Sequence, residues 1–205
     1  METQLDKISY ILGQQIGNDL KTQQIEVNPS IFVDSIKSAL EGLESKFNPE
    51  ETHNIMSTFQ AEMQAKAMSL ANEAGKLNLE EGIKFLEENK TSEGVTTTES
   101  GLQYKVINTG DGQSPTASST VETHYEGKLL NGEIFDSSFA RGETTTFPVN
   151  GVIAGWTEAL QLMKEGDMWE LYIPAALAYG SQGAGGKIGP SSTLIFKVEL
   201  IKVVS

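Results

Sequence analysis

After "NPEE" at residues 48–51, nothing in the chain halts a helical pattern before about Asn89. Asn48 offers an N-cap and Pro49 a first helical residue, so the spacing predicts one helix over about 49–89. At 1.5 Å per residue such a helix runs to roughly 60 Å, longer than a small domain is wide. The 205 residues suffice for one large domain or two small ones, and a rod of this length favours two. Its apolar positions (Ile55, Phe59, Met63, Ala67, Leu70, Ala74, Leu77) form a narrow stripe. Gly75 and Gly82 each cost up to about 1 kcal/mol of helix stability and mark where the rod could bend.

Two shorter helices precede it. Leu5, Ile8, Leu12, Ile16 and Leu20 recur every three or four residues. "NPSIFVDSIKSALEG" repeats the start signal with Asn28 and Pro29, and Phe32, Ile36, Leu40 and Leu43 make its stripe. About forty-five residues in two amphipathic helices cannot enclose an adequate core alone. The stripes need a partner, and a second copy of the chain is the simplest one. Gly13 and Gly17, four apart, would permit close helix contact or are merely tolerated.

The period then changes. "KTSEGVTTTESG" (90–101) is polar and bounded by glycines, and reads as a boundary. Beyond it "LQYKVI" (102–107), "TVETHYEGKLL" (120–130), "GDMWELYIP" (166–174) and "STLIFKVELIKVV" (192–204) are β-branched or aromatic runs, and Asn131-Gly132 signals a hairpin. Only "GVIAGWTEALQLM" (151–163) has helical spacing. Of the 20 glycines, 15 lie after residue 93. The expected class is α+β. An all-helical domain at 1–93, including the long third helix, precedes a curved antiparallel sheet with one short helix on its face at 94–205.

Several chemistries are excluded. The net charge of −13, with −8 before residue 94 and −5 after it, argues against nucleic-acid backbones and anionic membrane surfaces. Solubility accounts for the acidity. Without cysteine there is no disulfide, thiolate zinc site or cysteine nucleophile. His53 and His124 are too few for a histidine-rich metal site. No cofactor is expected. The amino terminus, acidic at positions 2 and 6, does not read as a signal peptide, and no run approaches a membrane span, so the cytoplasm is the expected location. "GSQGAGGKIGPS" fails the Walker pattern at Ser181 and Ile188, and fails G-x-G-x-x-G at Ile188, leaving a flexible surface loop. Ser137 and Ser138 lack a G-x-S-x-G elbow. No carboxylate pair stands out as a glycosidase site.

What remains is a set of aromatics with one nearby charged pair, Asp136 and Arg141, in "EIFDSSFARG". Such a set suits binding an apolar group and rotating a bond without breaking any. The blocks "VETHYEGKLLNGEIFDSSFARGE", "FPVNGVIAGWTEALQLMKEGDMWELYIP" and "LAYGSQGAGGKIGPSSTLIFKVELI" together resemble the FK506-binding-protein family of peptidyl-prolyl cis/trans isomerases, from about residue 100 to the end. The three-helix first half and "ESGLQYKVINTGDG" resemble its two-domain bacterial branch, related to macrophage infectivity potentiator.

The resemblance implies a homodimer joined through the N-terminal helices, with X-Pro-containing unfolded or partly folded proteins as substrates and FK506 or rapamycin as inhibitors. It implies a catalytic set of Asp136, Tyr179, Trp156, Phe135 and Phe196, with Tyr125, Arg141, Phe147, Val152, Ile153 and Ile188 binding substrate. Trp156 would be the pocket floor and Tyr125, Phe135 and Phe196 its walls. The Tyr179 hydroxyl and the Ile153 N–H would meet substrate carbonyls. Thr145, Ala184 and Gly189 depart from the single-domain members, which often have an aromatic, can have a histidine and usually have a proline there. The first two bear on substrate preference, and Gly189 could loosen the loop beside the pocket.

Isomerisation needs no proton transfer, so the expected part of Asp136 and Arg141 is a partly buried ion pair orienting the pocket wall, against a loop-closing salt bridge of no catalytic consequence. Client capture by the dimer is expected beside catalysis. The alternative is a chaperone or binding module with a vestigial pocket.

Overall fold

The computed structural model describes residues 3–204. The chain forms two compact units, Met1–Gln60 and Ala61–Ser205. In the first, helix α1 (Gln4–Thr22) opens on a capping box. The Asp6 N–H donates to the Thr3 hydroxyl oxygen and the Thr3 N–H to the Asp6 carboxylate, each at 3.1 Å. Helix α2 (Pro29–Leu40) starts as the sequence predicts, Asn28 Oδ1 accepting from the Ser30 and Ile31 N–H groups. Helix α3 (Pro49–Asn89) begins with a second capping box between Asn48 and Glu51 at 2.9 and 3.0 Å. No described residue of α1 or α2 is buried, and Leu5 and Leu40 are 72% and 85% exposed. The unit presents its apolar stripes to the surroundings.

In the second unit, strands β1 (Val95–Thr97), β2 (Gln103–Asn108), β3 (Thr120–Leu129), β4 (Ile134–Ser137), β5 (Thr145–Pro148), β6 (Met168–Ile173) and β7 (Leu194–Val203) form one antiparallel sheet. Its order is β1-β2-β6-β7-β3-β4, with β5 also on β3. Register shifts in β2–β6, β3–β4 and β3–β7 are the irregularities that let a sheet curve. Between β4 and β5 lies the short helix α4 (Ser138–Arg141). Helix α5 (Ala154–Leu162) covers the concave face. Trp156, Ala159, Leu160 and Met163 join Val121, Leu171, Ile173, Leu194, Val198 and Leu200 in the core. The predicted fold class holds. Strand β4 is the return arm of the hairpin signalled at Asn131-Gly132, the short strands β1 and β5 are additions, and β1 falls inside the segment read as a boundary.

The opposite face carries the second half of α3. Phe85 meets Tyr172 at 5.9 Å between ring centroids, Asn89 Nδ2 donates to Gln103 Oε1 at 2.8 Å, and Gln103 Nε2 donates to the Leu86 carbonyl at 2.8 Å. Residues 61–93 thus pack with the sheet's unit rather than with α1 and α2. Gly75 and Gly82 are the buried residues of α3, which is assigned as one continuous helix through both. A Cβ on Gly82 would lie 2.3 Å from Thr193 Oγ1, and one on Gly75 would lie 3.2 Å from Pro190 Cβ. Close packing, rather than a break in the helix, accounts for these glycines. The predicted stripe stays largely exposed at Ile55, Leu70 and Leu77.

Candidate active site

The concave sheet face and the start of α5 leave a cavity of about 470 Å³ between them. Trp156, in the first turn of α5, is 3% exposed and lies at its base. Tyr125 of β3, Phe147 of β5 and Phe196 of β7 each meet the indole nearly edge-on, with centroids at 5.4, 5.7 and 5.3 Å. Phe135 of β4 stands edge-on to Phe196 at 5.5 Å. These offset geometries are the ones the aromatic quadrupole favours, so the rings hold one another in place. Val152, Ile153, Ile188 and Tyr179 complete the lining. Ile153 is the N-cap of α5, its carbonyl accepting from Trp156 and Thr157 N–H at 2.9 and 3.0 Å. Among the described residues the Tyr179 hydroxyl makes no hydrogen bond, and the residue is 39% exposed.

Strand alternation delivers these residues. Val121, Thr123, Tyr125 and Gly127 of β3 all face the core, and the β3–β7 register sets Gly127 opposite Phe196. Gly127 is required by contact. A Cβ there would sit 2.5 Å from Phe135 Cε2 and 2.6 Å from Phe196 Cε1, so both walls lean over a strand that has no side chain at that point. Ser138, fully buried at the head of α4, fixes Tyr125 from behind. Its Oγ accepts the Tyr125 N–H at 2.7 Å and donates to the Tyr125 carbonyl at 3.2 Å. His124 Nδ1 lies 2.9 Å from the same oxygen. Buried and committed to the backbone, Ser138 is a structural serine beside a histidine, not a nucleophile.

The charged pair is bonded to the wall rather than free in the cleft. Asp136 accepts from the Arg141 guanidinium and, at 2.5 Å, from the Tyr125 hydroxyl. Arg141 Nη2 also donates to the Tyr125 oxygen at 3.2 Å. Asp136 lines the cavity and Arg141 lies outside its lining, and their side chains are 42% and 47% exposed, so the pair is more open than expected. Burial pushes the Asp136 carboxyl up, but the hydrogen bonds from Tyr125 and Arg141 and the guanidinium charge outweigh it, and the group titrates below the usual carboxylate range. Burial, then the bond to Asp136, pushes the Tyr125 phenol up. Near neutrality the cluster is therefore carboxylate, guanidinium and neutral phenol, with no member poised to exchange a proton.

Ten of the eleven anticipated residues line the cavity, and the eleventh, Arg141, lies outside it, bonded to Asp136 and Tyr125. Gly127, Gly151 and Ser138 were missed, although a glycine inside the alternating "VETHYEGKLL" signals a close approach. The glycine-rich loop is more ordered than expected, since Ala184 and Ile188 exchange backbone hydrogen bonds at 2.9 and 3.0 Å.

A profile described as FKBP-type peptidyl-prolyl cis-trans isomerase matches residues 112–201. One for the domain amino terminal to FKBP-type peptidyl-prolyl isomerase matches residues 5–106. The FKBP-type 22 kDa peptidyl-prolyl cis-trans isomerase of Escherichia coli strain K12 is 46% identical over 197 residues, which is 96% of this chain and 94% of that protein. The Outer membrane protein MIP of Legionella longbeachae is 41% identical over 203 residues, 99% of this chain and 87% of that protein. The crystal structure of FkpA from Escherichia coli superposes with a TM-score of 0.78 at 35% identity, covering 99% of this chain and 98% of that one.

Proposed function

The chain belongs to the FKBP-type peptidyl-prolyl cis-trans isomerases, and on that premise we propose that X-Pro rotation takes place in the aromatic cavity above Trp156. Twisting a peptide bond faces a barrier of about 18–20 kcal/mol, because it destroys amide resonance. A catalyst need only bind the twisted amide better than either planar isomer, and each 1.4 kcal/mol or so of that preference gives about tenfold in rate. The twisted amide is less polar than the planar one. A cavity walled by Tyr125, Phe135, Phe147 and Phe196 favours it over water.

Trp156 receives the proline ring, Val152 completes its apolar enclosure, and Ile188 lines the cavity toward the residue next to proline. The free Tyr179 hydroxyl and the Ile153 N–H hold the flanking carbonyls. Asp136 and Arg141 lock Tyr125 in place and present a fixed carboxylate to the polarised carbonyl carbon. The observation that carries this reading is the Tyr125–Asp136–Arg141 cluster, bonded together at the mouth of an aromatic cavity. Replacing Asp136 with Leu removes charge while keeping bulk. It should lower kcat/KM on an X-Pro tetrapeptide by about tenfold or more in a protein whose melting shows it folded. Unchanged turnover would reduce the pair to a loop-closing salt bridge. FK506 and rapamycin should compete with peptide for the cavity.

Unit Met1–Gln60 supports a second part of the proposal, a homodimer that captures unfolded clients. Ile16, Leu20, Phe32 and Ile36 line an open apolar groove there, together with Gly13 and Gly17. Burying such stripes against a second copy removes them from water. Sedimentation of the full chain reads the mass directly.

A further inference from the structure

Beside the Leu86 carbonyl, which accepts from Gln103, the second half of α3 meets the sheet's unit at Gly75, Asn78, Gly82, Phe85 and Asn89, alternating three and four residues apart. That spacing puts them on one face of the helix. Three of the five reach the segment Gly189–Thr193, which begins one residue after Ile188 of the cavity.

Asn78 makes the polar contact. Its Nδ2 donates to the Pro190 carbonyl at 2.9 Å and lies 3.3 Å from Ser192 Oγ, which in turn donates to the Gly189 carbonyl at 2.9 Å. Ser191, between them, adopts a left-handed φ of 55°, a conformation a non-glycine residue keeps only when its surroundings impose it. Its N–H donates to the Gly180 carbonyl at 2.8 Å, tying the segment back to the neighbour of Tyr179.

Gly189 completes the fit. A Cβ on it would lie 3.1 Å from Asn78 Nδ2, so the loop passes this close to the helix because residue 189 has none. Inside the loop Gly183, Gly185 and Gly186 all have positive φ and add little stiffness of their own. The Ala184–Ile188 bridge stiffens the loop locally, and Asn78 adds a tie from outside it.

We propose that Asn78 is a positioning residue of the isomerase site. Through Pro190 and Ser192 it holds the loop that carries Ile188, and so sets how the cavity fits the residue next to proline. The inference rests on the isomerase reading of that cavity. Ile188 supplies apolar surface and no charge, so moving it alters the fit of a neighbouring side chain more than the environment of the twisting amide. Apolar fit of that kind discriminates side chains by roughly 10- to 200-fold per methylene when fully used, and a displaced rim uses part of it.

The test uses the full chain and tetrapeptides with Ala, Leu or Phe before proline. Asn78→Leu removes the donor at similar volume. Asn78→Gln keeps an amide on a longer stem. Asn78→Leu should change the Leu-to-Ala ratio of kcat/KM by about three- to tenfold, mostly through KM, and shift the Ile188 and Ala184 amide resonances. Asn78→Gln should recover part of both. An unchanged ratio with unshifted resonances overturns the proposal, as does an equal fall for all three peptides tracking a lower Tm, which is the mark of a merely structural contact. Should Asn78→Leu not fold, Asn78→Ser carries the same comparison. A wild-type chain inert on every peptide would defeat the isomerase reading instead, and the amide shifts would then decide the tie between helix and loop by themselves.

Discussion

Asp136 shows how a charged residue can matter at a site where no proton moves. Its carboxylate is held by Arg141 and the Tyr125 hydroxyl, so its pKa is lower in the folded protein than in the unfolded chain. A depressed acid contributes stability that is complete above its unfolded value, near 3.8, and lost as pH falls through the lowered folded one. The stability gap between wild type and Asp136→Leu should therefore be widest at neutral pH and narrow below about pH 4 in denaturant titrations. Across roughly pH 6–9 the peptide activity should stay flat, because Asp136 titrates below that window and Tyr125 above it. Gly127→Ala tests the wall. Its Cβ would meet Phe135 and Phe196 within 2.6 Å, so overpacking should destabilise by about 1–3 kcal/mol and reduce kcat/KM beyond what the Tm shift explains. The lining itself was legible from ordered motif blocks. The supports were not, because Ser138 acts through Tyr125 backbone groups and nothing in the residues around a serine announces that partner.

At the scale of elements, the sequence identified α3, but its apolar stripe is not its docked face. Hydrophobic periodicity pointed to Ile55, Leu70 and Leu77, which are exposed, whereas the docked face is Gly75, Asn78, Gly82, Phe85 and Asn89. A helix that lies against loop backbone needs small residues for approach and amides for bonding, and neither registers as an apolar stripe. Gly82→Ala separates the two views. Helix propensity alone gains up to about 1 kcal/mol, but a Cβ 2.3 Å from Thr193 Oγ1 forces a shift. Thermal unfolding of the sheet should therefore move to lower temperature. Capping and turn signals fared better. Asn28 and Asn48 bond as read, because an N-cap is decided within four residues, and the Asn131-Gly132 turn brings β4 back onto β3, whereas β5 is a four-residue strand that reaches β3 from more than twenty residues away.

For the whole molecule, a fragment beginning at Ala61 keeps every α3 contact with the sheet, and one beginning at residue 94 strips them away. Ala61–Ser205 should match the full chain on a tetrapeptide yet lose its advantage in refolding a proline-limited protein if the proposed dimer holds, because two tethered sites acting on one client raise the apparent affinity. Gly13→Ala and Gly17→Ala, which meet nothing within 4 Å in the single chain, should weaken self-association in sedimentation if the copies meet there. The segment 90–101 carries the last consequence. It has the composition of a hinge, yet Val95–Thr97 pairs with β2, the Thr98 N–H donates to the Leu102 carbonyl at 2.9 Å, and Ser100 Oγ donates to Glu158 at 2.6 Å. A protease needs slack chain to thread its cleft. Brief digestion should thus leave 90–101 intact and release fragments whose ends map elsewhere, so a stable core recovered after trypsin should still carry Phe85 and Asn89.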